Sequence, residues 1–293
     1  MKGFATGLLN FLLFLSLSAF GLVLTLNSTL LNQDFVVSEL DELDTTALIK
    51  EQLAFQIPQE FAFMNEAIDS TIADLEPWLK EQVRNGIYTT NDYLTGRSQS
   101  LSIVISTEPI TESIRDNAWE AIQKSPPPEL ANVPPAMVEQ YFNQLYDQQI
   151  AQLIPTTFEI DESLLGPQVI GWLEPIRQAF SYFDIAYKGL ISLMILLIAC
   201  IILINRELRS NARSIGITFT TYGAIEYGGI FAAIYFAAPQ ITNLGIPVQL
   251  QTWLPQLLDN IMAPLQTFSL RLLIAGVALI TVSYVYKPRP SSS

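Results

Sequence analysis

Two ionisable residues lie inside otherwise apolar stretches, and they are the candidates for chemistry in this sequence. Glu226 follows eleven residues of one apolar stretch, Ile215–Ile225, and Arg271 lies in a second apolar run. A charged side chain at the centre of a bilayer costs about 2.5–3.5 kcal/mol on insertion scales, so it faces protein or water. We therefore predict an intramembrane polar pair of Glu226 and Arg271. The pair would either fix the register of two helices or, if Glu226 changes charge, form a proton- or ion-responsive site. The alternative to a pair is a protonated Glu226 that bonds elsewhere, or an Arg271 whose side chain snorkels outward.

Other kinds of chemistry are excluded by what the sequence lacks. It has no histidine, which is the usual general base and the commonest transition-metal ligand. Its single cysteine, Cys200, cannot form an internal disulfide or a thiolate metal cluster. We therefore expect no catalytic residues, no bound metal and no cofactor.

The composition is that of a membrane protein with a large aqueous part. Half of the 293 residues are hydrophobic and 15% are charged, whereas charged residues make up about a quarter of a soluble domain. The formal net charge is −13, from 15 Lys and Arg against 28 Asp and Glu, and this charge must lie in water. Because binding to phosphates needs a basic surface, we do not expect nucleic acid as a partner.

Four stretches are long enough to cross a bilayer as helices, which takes about 20 apolar residues. They are residues 4–26, 185–204, 215–238 and 266–286. We interpret the first as an uncleaved signal anchor, because its apolar run exceeds that of a signal core and no small-x-small cleavage site follows it. Cleavage would change only the number of spans.

The basic residues predict the orientation of these spans. Residues 1–3, the connection 205–214 and the tail 287–293 together carry six basic residues and one acidic residue. By the positive-inside rule, these three segments are cytoplasmic. The segment 27–184 is then extracytoplasmic and strongly acidic, and 239–265 is a second outer loop containing an amphipathic helix. We expect a multi-pass protein of a plasma membrane, of prokaryotic type because neither disulfides nor accessible glycosylation sites are predicted outside.

The segment 27–184 has mostly helical periodicity. An apolar stripe at spacings of three and four runs from Phe61 to Val83 and predicts a helix that ends near Asn85-Gly86. A further helix is predicted over 108–124, and alternating residues near 101–105 and 158–160 predict two paired strands. The fold class is therefore mainly α, with a four-helix transmembrane bundle. An extracytoplasmic helical domain with a minor two-stranded β element is inserted between the first two spans.

Two further sets of residues are predicted to position the spans. Small side chains on the third span allow close helix contact: Gly223, Ala224, Gly228, Gly229 and Ala233. Aromatic rings and a snorkelling lysine are favoured at the membrane interface. The predicted anchors of this kind are Tyr182, Phe183, Tyr187, Lys188 and Trp253.

These features favour a non-enzymatic binding, scaffold or sensor component of a membrane complex. Its partners would be the lipid bilayer and either another protein or a second copy, contacted through the third span and the outer domain. The alternative is a transporter or permease subunit whose polar site is Glu226 and Arg271. A transporter should have a hydrated cavity that reaches Glu226, whereas an anchor should have a tightly packed bundle. A surface hydrolase with paired carboxylates would need a cleft and two split pKa values.

Overall fold

The computed structural model describes residues 2–48, 65–124, 126, 133–205, 207–242 and 245–285. The chain forms two compact units. We call Val37–Arg177 the central unit, and Met1–Val36 together with Gln178–Ser293 the terminal unit.

The described residues are mainly helical, as predicted. In chain order the elements are α1 (Lys2–Ser28), α2 (Gln33–Asp41), α3 (Asn65–Leu94), β1 (Ser102–Ser106), α4 (Glu108–Lys124), α5 (Pro135–Leu145), β2 (Thr157–Asp161), α6 (Glu162–Asn205), α7 (Leu208–Thr242) and α8 (Val248–Val285). A π-helical turn, Tyr146–Ile150, and a 3₁₀ turn, Ala151–Leu153, follow α5.

The two-stranded element of the central unit is confirmed. Strands β1 and β2 are antiparallel, with Ile103 opposite Ile160 and Ile105 opposite Phe158. These are the apolar positions of the alternating pattern, so one face of the ribbon is apolar. The helix between the strands, α4, also has the predicted bounds.

The long helix of the central unit differs from the prediction at its end. Helix α3 continues through Asn85-Gly86 to Leu94, and the chain turns at Gly96, where φ is +76°. Glycine adopts this left-handed conformation without a steric cost, so Gly96 rather than Gly86 ends the helix. The helix continues because Ile87 extends its apolar side and lines a cleft with Val37 of α2. Phe61, at the start of the predicted stripe, lies outside the described residues.

Three of the predicted spans coincide with helices that are long and apolar enough to cross a membrane, namely α1, α6 and α8. This holds by length and composition. Helix α7, which contains the predicted third span, has 35 residues but is less apolar than the other three. The reason is its content of glycine, threonine and tyrosine together with Glu226.

The segment 239–265, which was predicted to be a second outer loop, is more helical than predicted. The amphipathic segment of 239–265 and the span 266–286 belong largely to one continuous helix, α8, which contains Pro255 and Pro264. Helix α7 likewise extends to Thr242. The two helices therefore form a long antiparallel hairpin rather than two spans joined by a loop with its own helix.

Candidate functional site

Helices α7 and α8 approach each other until their backbones nearly touch. A methyl group on Gly223 would lie 2.6 Å from the carbonyl oxygen of Ser269, and one on Gly276 would lie 2.5 Å from the amide nitrogen of Thr220. A methyl group on Gly216 would lie 2.9 Å from the carbonyl oxygen of Gly276. Glycine is needed at these three positions because any side chain would push the helices apart.

The sequence prediction identified one of the three glycines in this contact. Gly223 lies in the contact, but the other four predicted packing residues are exposed: Ala224, Gly228, Gly229 and Ala233. Sequence reasoning missed Gly216 and Gly276. A detectable signal was present, because the buried small residues Ser269, Gly276 and Ser283 are spaced by seven on α8, which is the spacing of a helix-packing seam.

Helix α1 packs against α7 through both apolar and polar side chains. The buried apolar cluster combines residues of α1, α6 and α7: Leu13, Leu17, Leu197, Ile201, Ile215 and Tyr222. Such a cluster excludes water from the interface between the three helices.

Beside this cluster, hydrogen bonds join the same three helices. The amide nitrogen of Asn10 donates to the Ser214 hydroxyl at 2.7 Å, and the Thr218 hydroxyl donates to Asn10 Oδ1 at 2.9 Å. The Thr6 hydroxyl donates to Asn205 Oδ1 at 3.0 Å. We call these five residues the polar seam. Hydrogen bonds of this kind hold apolar helices together at a defined register.

Two further polar residues continue the α7 side of the seam. Tyr222 and Glu226 follow Thr218 at intervals of four, so they lie along the same side of the helix. Tyr222 is 1% exposed, and its hydroxyl has no hydrogen-bond partner among the residues that the structure describes. Its ring makes edge contacts with Phe14 and Phe268. A buried tyrosine hydroxyl usually has a partner, so its isolation distinguishes this position.

The predicted pair of Glu226 and Arg271 does not form an ion pair within the chain. Glu226 is half-buried, Arg271 is exposed, and neither has an ionic partner among the described residues.

The reason is the direction of Arg271. Ser269 and Leu273 both face Gly223 of α7, and Arg271 lies two residues from each, about 160° around the helix. Its side chain therefore leaves α8 on the side away from α7, although it lies only about 4.5 Å from Glu226 in height.

The predicted interface anchors have mixed environments. Tyr182 is 68% exposed. The Tyr187 ring packs on Phe20 of α1 with centroids 5.4 Å apart, and Lys188 pairs with Asp184 one turn earlier at 2.5 Å. Phe183 and Trp253 are half-buried. Of these five residues, Tyr187 has a ring contact with α1.

Within the described residues, no group of three or more His, Cys, Asp or Glu residues could hold a metal ion. Comparison with protein-family models, curated proteins and solved structures finds no match for this chain.

Proposed function

We propose that this chain is a non-enzymatic membrane protein whose acidic central unit binds a protein partner outside the cell membrane. Helices α1, α6, α7 and α8 form its four-helix membrane base. Both termini and the basic connection between α6 and α7 lie in the cytoplasm.

The observation that supports the membrane base most strongly is the packing of α7 against α8 and its hydrogen bonding to α1. Its own composition is marginal for a span, but it contacts α8 backbone to backbone at Gly223 and Gly276. On another side it is hydrogen-bonded to Asn10 of α1. A helix held between two apolar helices enters the bilayer with them, because close backbone packing and hydrogen bonds between helices keep it attached to them.

Charge and exposed apolar surface support a binding role for the central unit. Residues 37–177 carry 23 Asp and Glu against 7 Lys and Arg. On α5, Met137 and Tyr141 lie one turn apart, and each is 61% exposed. A cleft of about 310 Å³ lies beside them, lined by Trp119 and Val138. Exposed apolar side chains rimmed by polar ones are typical of protein interaction surfaces.

The proposal can be tested with single cysteines in a Cys200→Ser background, labelled on intact cells with a membrane-impermeant maleimide. We expect Met137→Cys and Asp116→Cys to react from outside, and Ser210→Cys to react only after permeabilisation. Ala224→Cys should stay unreactive in both conditions although Ala224 is exposed in the structure, because lipid prevents ionisation of the thiol.

A photoreactive form of the same reagent then tests binding. Attached at Met137→Cys, it should crosslink the chain to another polypeptide, whereas Asp116→Cys, on a polar exposed surface, is the matched control. Equal crosslinking from both positions would contradict a binding surface on α5. Rapid labelling of Ala224→Cys would contradict the membrane position of α7.

A second candidate function is supported by Tyr222 and Glu226. A buried hydroxyl without a partner, followed one turn later by a half-buried carboxyl group, is a feature of polar sites in transport proteins. On this hypothesis, purified protein in liposomes carries protons down a pH gradient, and Glu226→Gln reduces the flux at least tenfold. Gln251→Glu, which adds a carboxyl group elsewhere, is the control. A flux equal to that of protein-free liposomes excludes this function.

A further inference from the structure

Two opposite charges in the proposed membrane base lack ionic partners in the described part of the chain. Glu226 lies on α7 and Arg271 on α8, and neither pairs with another described residue. Leaving either charge unpaired in lipid costs several kcal/mol, which an oppositely charged neighbour would offset.

The two charges lie at nearly the same height in the helix pair. The contact of Gly223 with Ser269 and Leu273 puts Arg271 level with Gly223, and Glu226 is three residues further along α7, about 4.5 Å. Copies of one membrane protein share the same orientation and depth in the bilayer. Groups of equal height on two copies can therefore meet even when they cannot meet within one copy.

The surfaces that carry these charges also leave room for a neighbour. On α7, Gly229 lies three residues after Glu226, about 60° around the helix, and has nothing within 4 Å of the place where a side chain would begin. On α8, Leu270 and Ile274, which flank Arg271, are 39% and 62% exposed. Small residues on one helix let a second helix approach closely enough for a guanidinium group to reach a carboxylate.

We propose that the chain forms homo-oligomers in which Arg271 of one copy pairs with Glu226 of a second copy. In this contact, the side of α8 that faces away from α7 in one copy packs against α7 of the next copy. This inference rests on the proposed membrane base. The complementary charges at matching height identify the occupant of the exposed α7 surface as another copy of this chain.

Two charge-reversed forms with different tags provide the test. A Glu226→Arg copy has arginine at both positions, and an Arg271→Glu copy has glutamate at both positions. In each form alone the contact would join like charges, so oligomers should be lost. When the two forms are co-expressed, every mixed contact joins arginine to glutamate. Co-purification of the two tags, and energy transfer between fluorescent copies in membranes, should then return to the wild-type level.

Control variants distinguish loss of this pairing from a general effect of charge, from misfolding and from failure of the proposed membrane base. Lys188→Glu reverses an exposed charge on α6 and should leave the oligomers intact. Glu226→Gln removes the charge with little change of shape and should weaken them, which covers the case in which Glu226→Arg fails to fold. If α7 labels as a water-exposed helix, the membrane base fails. If α7 is protected from the maleimide and wild-type copies show only background energy transfer, the result contradicts the homo-oligomer but not the membrane base. An absence of mixed-copy rescue also overturns the pairing.

Discussion

Replacing Gly276 with alanine should lower the stability of the terminal unit by about 1–3 kcal/mol, the usual cost of overpacking. The added methyl group would lie 2.5 Å from both the amide nitrogen and the hydroxyl oxygen of Thr220, and 2.7 Å from the Gly216 carbonyl oxygen. Two of these atoms belong to the backbone of α7 and cannot rotate away. The clash therefore exceeds the gain of about 1 kcal/mol that alanine offers in a helix interior.

The measurement is thermal unfolding of the purified full chain in detergent, followed by size-exclusion chromatography of the heated samples. Gly228→Ala is the matched control, because the same change on α7 meets nothing within 4 Å. It should leave the unfolding temperature unchanged or raise it. A Gly276→Ala protein as stable as wild type would mean that α7 and α8 do not make this backbone contact.

Two substitutions of Tyr222 are expected to change the stability of the protein in opposite directions. Tyr222→Phe should raise stability by about 1–3 kcal/mol, because it removes a buried hydroxyl that has no hydrogen-bond partner. Tyr222→Ala should lower stability by about 3–5 kcal/mol, because the ring fills the space between Phe14 and Phe268. Both variants are compared with wild type in the same thermal assay.

The phenylalanine variant also bears on function. If Tyr222 served only to fill space, phenylalanine at this position would give the more stable protein. A stabilised Tyr222→Phe protein therefore indicates that the hydroxyl serves another purpose. Tyr227→Phe, which changes a 39% exposed tyrosine on the same helix, is the control. If Tyr222→Phe instead lowers stability by more than 1 kcal/mol, the hydroxyl has a partner and the isolated position described above is wrong.

Local patterns in the sequence predicted the local structure well. The bounds of α4 and the positions of the two strands follow from apolar spacing, because each pattern is short and depends on neighbouring residues. The end of α3 was predicted at the wrong glycine. Glycine permits a turn at both positions, and the residues next to Gly86 and Gly96 do not decide between them.

The candidate site was less predictable. Hydropathy indicates which helices enter a membrane, but it does not specify the direction in which each side chain leaves the helix. The Glu226–Arg271 pair was predicted from the positions of the two residues along their helices, and these positions differ by only about 4.5 Å in height. The direction of Arg271 is determined by the seven-residue spacing of Ser269 and Gly276, which turns the opposite side of α8 toward α7.

The polar seam has a consequence for how the protein is made. Asn10 emerges from the ribosome 204 residues before Ser214, its hydrogen-bond partner. At about 5–20 residues per second, synthesis of that interval takes about 10–40 s. In the proposed membrane base, the Asn10 amide nitrogen would have only the Thr6 carbonyl oxygen of its own helix as a partner during this time, while the whole central unit is translated. Retention of α1 beside the insertion machinery until α7 arrives would protect the nascent chain from pairing with the wrong helix.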